Sequence, residues 1–134
     1  MQTVNFEVEL EKILAHDPRF HRDSYHFVRE ALDYTRKMLA KSESRHVTGQ
    51  QLLEGVREYA LAQYGPMALT LLEEWGVRRG EDIGEIVYNM IEIKLLAKTD
   101  EDSRDDFKGG YDFQEAFRRP FLPTPQPSTP LPHS

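Results

Sequence analysis

His16, Asp17, His21 and His26 fall within eleven residues and combine three imidazoles with a carboxylate, the donor types of a zinc site. Their spacing speaks against that chemistry. His21 and His26 stand five apart, so a helix would point them to different faces, whereas a helical metal pair sits four apart. Asp17-Pro18 also breaks the register before them. Asp100-Glu-Asp-Ser-Arg-Asp-Asp106 has the acid density of a calcium loop. Counted from Asp100, however, the fifth position is arginine, the sixth is aspartate and the twelfth is tyrosine, where the loop needs an oxygen ligand, glycine and glutamate. A solvated acidic turn is the better reading. Asp23, Ser24 and His26 place a carboxylate, a hydroxyl and an imidazole close in sequence, but triad members meet through the fold and no nucleophile elbow is present. Helix capping accounts for Asp23 and Ser24. His46, at a loop-to-helix boundary, reads as a residue that bonds backbone rather than a ligand. The expectation is a protein that is not an enzyme, with no catalytic residue, no metal, no cofactor and no small-molecule substrate.

The elements that would position such residues are helical. A chain of 134 residues, 39% of them hydrophobic, is the size of one domain. The span 1–118 reads as a single helical domain and 119–134 as a disordered tail. Six of the eight prolines lie from Pro120 onward, where they forbid helix interior and ladder pairing. Cysteine is absent, which excludes disulfides and thiolate chemistry. The first twelve residues carry three glutamates and no apolar run, unlike a signal peptide. Apolar runs stop at four residues, far short of a membrane span. The expectation is a cytoplasmic protein with no membrane partner.

Periodicity gives five helices. The first covers 5–15, with Phe6, Leu10, Ile13 and Leu14 on one stripe. The second begins near Asp23 or Ser24 and aligns Phe27, Val28, Ala31, Leu32, Met38 and Leu39. Thr48 and Gln51 fit a capping box that opens the third, which carries Leu52, Leu53, Val56, Tyr59, Ala60 and Tyr64. Gly65 stops it and Pro66 starts the fourth, whose stripe is Met67, Ala68, Leu71, Leu72 and Trp75, with Gly76 as C-cap. The fifth starts at Glu81 and Asp82 and runs to about Leu96 over Ile83, Ile86, Val87, Met90 and Ile91. One core is expected to hold Leu52, Val56, Leu71, Trp75, Ile83, Val87 and Met90. Gly109-Gly110 is the strongest turn signal in the chain. Around it the segment 98–111 reads as at most a small β-hairpin, with Phe107, Tyr111, Phe113 and Phe117 as anchors.

Helices of falling length followed by a hairpin, over 48–113, resemble a winged helix-turn-helix. The helix that would enter a DNA groove is acidic. From 81 to 117 eleven acidic residues face four basic ones, so this segment carries −7 of a net −6 and the rest of the chain is close to neutral. Such a surface repels phosphates and attracts basic proteins. Glu81, Asp82, Glu85, Glu92, Asp102 and Asp106 are therefore the candidate partner-binding residues, for a protein partner with a basic surface. Nucleic acid is the less favoured partner. It would use Arg22, Arg29, Arg36, Lys37, Lys41 and Arg45, a basic face on the second helix and beyond.

The stretches His46-Val-Thr-Gly-Gln-Gln-Leu-Leu-Glu-Gly55, Tyr64-Gly-Pro-Met67, Trp75-Gly76, Asp82-Ile-Gly-Glu-Ile-Val87, Leu95-Leu-Ala-Lys-Thr-Asp100 and Tyr111-Asp-Phe113 resemble a family of uncharacterised small proteins known from planctomycetes and verrucomicrobia. The resemblance runs from about Val4 to Phe117 and leaves out the proline-rich tail. It implies no activity and no binding site.

Overall fold

The computed structural model describes residues 5–39, 47–96 and 103–122. Among these the chain forms five α-helices and no strand: α1 (Phe6–His16), α2 (Arg22–Leu39), α3 (Gly49–Tyr64), α4 (Ala68–Glu74) and α5 (Gly80–Glu92). Short helical turns complete it, three of the 3-10 type at Gly65–Met67, Arg104–Phe107 and Arg119–Phe121, and one π turn at Gln114–Arg118. None of the described helices is long and apolar enough to cross a membrane.

Local signals account for most boundaries. Asn5 caps α1 by accepting from the backbone N–H groups of Glu7 and Val8. Thr48 and Gln51 form the expected reciprocal box: Gln51 N donates to Thr48 Oγ1 at 3.1 Å, and Thr48 N donates to Gln51 Oε1 at 3.0 Å. Gly76, at φ 89°, ends α4 while Val77 N reaches back to Leu72 O, the left-handed cap that glycine makes without strain. Gly65 caps α3, with its N–H on Leu61 O.

Four boundaries differ from the sequence expectation. The helix α2 starts at Arg22, and His21 supplies the cap in place of Asp23 or Ser24: its Nδ1 accepts from Asp23 N at 3.0 Å. His21 is held there because its own N–H donates to Trp75 O at 2.9 Å. Ser24 faces inward and donates to His21 O. The helix α5 stops at Glu92, four residues early. Lys94 takes a left-handed φ of 64° and Leu95 N bonds Met90 O, a Schellman-type closure built without the glycine that would announce it. Within 98–111 the described part is a 3-10 turn, not a hairpin; Lys98 to Asp102 lie outside the described residues. Order continues past Arg118 into the turn Arg119–Phe121, so the first residues assigned to the tail belong to the body. Residues 123–134 lie outside the described residues.

The core joins α1, α2, α3 and α5, with Leu10, Phe27, Val28, Leu52, Val56, Ile83, Val87 and Met90 all buried. Two members of the expected core are displaced. Leu71 and Trp75 are half-buried, while Leu69, Leu72 and Val77 take the interior. The cause is the 3-10 turn before α4, which advances the chain at three residues per turn and rotates the following stripe. Met67 is turned out to solvent as a result. Trp75 closes the core edge against Phe27 and Tyr64, with centroids 5.7 and 5.9 Å away. On α2, Met38 is exposed and Leu39 half-buried, and Tyr25 and Thr35 fill interior positions instead.

Candidate functional site

After Ser103 the chain returns over α3 and α5 as a strap. Of residues 103–110 only Phe107 is buried: its ring rests on two glycines, Gly49 of α3 and Gly84 of α5, and its carbonyl on a third, Gly80. A Cβ on Gly84 would meet the ring at 2.8 Å, one on Gly49 would meet it at 3.2 Å, and one on Gly80 would meet Phe107 O at 2.9 Å. Gly80 and Gly84 are one helical turn apart, so together they leave a furrow along α5. Beside it, Arg104 Nη1 donates to Glu85 Oε2 at 3.0 Å, and the guanidinium lies over the Tyr88 ring at 5.0 Å. Farther on, Tyr111 OH donates to Leu53 O at 2.6 Å, and burial pushes the phenol above its ordinary pKa. Phe113 and Phe117 are buried in edge contact with each other at 5.0 Å. The aromatic residues expected to anchor this segment do so.

Glu81, Asp82, Glu85 and Asp106 lie on the strap and the first turns of α5, several of them already engaged. Asp82, in the first turn of α5, accepts from Arg78 N at 2.9 Å and so fixes the chain entering the helix. Glu85 is bridged by Arg104 and, at 3.8 Å, by Arg19. Asp106 accepts from Ser103 N in a second capping box. Glu81 stands in the first turn, and Lys108 of the strap pairs with Asp105 at 2.9 Å. Glu92 recurs on the side of Glu81 and Glu85 but ends the helix, beside Lys12 and His16 of α1. Asp102 lies outside the described residues. The edge is thus acidic with cations interleaved, which the linear tally did not reveal.

The basic face is mostly spent on local partners. Arg22 pairs with Glu7 at 2.7 Å and with Glu11. Arg29 stacks on Phe6 at 3.9 Å, and Lys37 pairs with Asp33 at 3.0 Å. Arg36 lines a cleft of about 460 Å³ with Arg29, Glu30, Asp33, Leu95 and Leu96. Lys41 and Arg45 lie outside the described residues, as does His46.

The histidines do not converge, and among the described residues no group of three or more metal-ligating side chains forms. His26 Nε2 lies 2.7 Å from Glu7 and its ring is edge-on to Phe6. Asp17 serves a different purpose. Arg19 donates Nε and Nη2 to its two oxygens at 2.9 and 2.7 Å, and Asn89 of α5 donates to it at 3.0 Å. The same Asn89 amide donates to the buried Tyr25 hydroxyl at 3.0 Å. This fork ties the α1–α2 corner to α5, and the Arg19 hydrogen bonds hold the Asp17 carboxyl well below the usual carboxylate range. No spacing rule links residues 17, 25 and 89, so the cluster was invisible in the sequence.

A stability test follows from the sign of that shift. A depressed carboxyl stabilises the fold above the ordinary aspartate value of 3.8 and loses that contribution as the pH falls toward the lowered folded value. Asp17→Asn is therefore expected to be less stable than the unmodified chain at pH 7 and to lose less on going to pH 3. Denaturant midpoints at the two pH values check this; parallel losses would show that the fork carries no linkage.

Comparison with protein-family models, with curated proteins and with solved structures gave no match to this chain.

Proposed function

We propose that the protein is a non-catalytic protein-interaction module, winged-helix-like in helix order over 48–113, that presents its acidic edge to a basic partner protein. One observation carries the reading: α5, the helix in the groove-reading position, is closed on its outer side by the strap and headed by carboxylates. A helix reads DNA by laying a free face in the major groove and surrounding it with lysine and arginine on phosphates. Here the free face of α5 holds Phe107 and Arg104 of its own chain, and Glu81, Asp82 and Glu85 stand at its entrance. The ion pairs of Arg22 with Glu7 and Glu11 and of Lys37 with Asp33 support the same preference, since cations already neutralised release few counterions. Phe121 and Leu122, exposed at the rim of a cleft of about 290 Å³ that Glu73, Gln114 and Arg118 also line, add apolar surface of the sort partners cover.

Two measurements test it. Titrated at low salt with random duplex DNA and single-stranded RNA, the unmodified protein is expected to give no mobility shift; submicromolar binding that weakens steeply with salt would overturn the reading. Reversing Glu81 and Glu92 to lysine should leave the circular dichroism unchanged and slow capture of the cross-linked native partner, most of all at low salt, because rim charges act chiefly on association rate. Unaltered capture would remove the acidic edge from the interface.

A further inference from the structure

The geometry points to a recognition groove, floored by Gly49, Gly80 and Gly84, for a partner protein's segment that carries an arginine and an aromatic residue three positions apart, with residues 104–107 occupying it in cis as an internal copy of that ligand. The inference rests on the interaction-module reading and names the partner's chemistry. Glycine weakens a helix, yet α5 carries two on one side and α3 begins with a third, and each Cβ they omit would strike the strap. The groove is thus shaped to admit a ring against bare backbone. Its polar end has equal definition: Glu85 takes a guanidinium nitrogen at 3.0 Å and the Tyr88 ring lies 5.0 Å from the guanidinium carbon, a carboxylate and an aromatic face that both suit arginine.

The occupant has the character of a short linear ligand. Its backbone bonds run within it, from Asp106 N to Ser103 O and from Lys108 N to Asp105 O, and both capping bonds of Ser103 and Asp106 are internal as well. The turn therefore carries its own shape; it meets the groove through the side chains of Arg104 and Phe107, with the Phe107 carbonyl against Gly80 and Asp106 Cβ against Gly49. A partner segment with arginine and an aromatic residue at the same separation makes the same two contacts. Tethering gives the internal copy an effective concentration on the order of millimolar, so it acts as a competitor that a partner must displace.

A fluorescein-labelled peptide of residues 103–113, followed by anisotropy, is the probe, and the full chain is the receptor. The unmodified chain should bind it weakly. Full-length Phe107→Ala empties the ring socket, and its affinity should rise about tenfold or more, as when a competing bound state is removed. Peptides carrying Arg104→Ala or Phe107→Ala should lose that binding. Phe107→Leu, which keeps an apolar group in the socket, should show a smaller gain and covers the case in which Phe107→Ala does not fold. Equal affinity for the unmodified and Phe107 variants would overturn the inference, as would no binding to a folded variant or the unfolding of both variants. An unmodified chain that is dimeric at these concentrations would also overturn it, by seating a second copy's strap in the groove. None of these failures touches the acidic-edge reading, whose charge reversals at Glu81 and Glu92 lie outside the groove.

Discussion

Phe107→Ala is expected to destabilise the domain by about 3–5 kcal/mol, the range for truncating a buried aromatic side chain. The loss should fall at the upper end of what such sites show because the surroundings cannot collapse. Two of the ring's neighbours, Gly49 and Gly84, are glycines held in two helices, and a glycine has no side chain to swing into the space. The arginine beside the ring is fixed by Glu85, and Tyr111 is fixed by its bond to Leu53 O. Equilibrium denaturation followed by circular dichroism gives the number. A cost below about 1 kcal/mol would mean that the ring is held against the surface rather than in the core. Amide exchange on the same variant locates the change: residues 103–111 and the first turns of α5 should lose protection before α2 does.

The second large effect is expected where α2 crosses α3. Gly55 is buried, and a Cβ there would overlap Thr35 Oγ1 outright and sit 3.0 Å from Thr35 Cβ. Thr35 cannot rotate away cheaply, since its hydroxyl donates to Ala31 O at 2.7 Å inside the core. Gly55→Ala should cost about 1–3 kcal/mol by overpacking, although alanine is by itself the better helix former by about 1 kcal/mol. In a Thr35→Ala background the clash disappears and the same change should become neutral or stabilising. The coupling between the two sites, read from a double-mutant cycle, is the measured quantity. Additive effects would show that the helices do not meet at this pair.

Several features were set by neighbours in sequence and were therefore legible there. The five helices, the Thr48–Gln51 box and the caps at Gly65 and Gly76 need only a few consecutive residues to form. Most of the buried stripe on α3 and α5 followed from the period of 3.6 alone. The count of charge was equally direct. Its consequence was not, because whether Glu85 repels phosphate or merely holds Arg104 and Arg19 depends on where the chain brings those arginines.

Tertiary structure decided the rest. A 3-10 turn of three residues rotated α4, so Leu69 rather than Leu71 entered the core, and no local propensity encodes that angle. Asp17, Tyr25 and Asn89 became one hydrogen-bonded cluster across as many as 72 positions of sequence. The described part of the segment expected to pair as a wing, from Ser103 on, is instead a capped turn, in which Ser103 and Asp106 bond the local backbone. By itself the sequence determined which stretches coil and how much charge they carry. Which charges remain free, and which face of α5 meets its own chain, depended on contacts between residues far apart, whose burial repays the ordering of the loops between them.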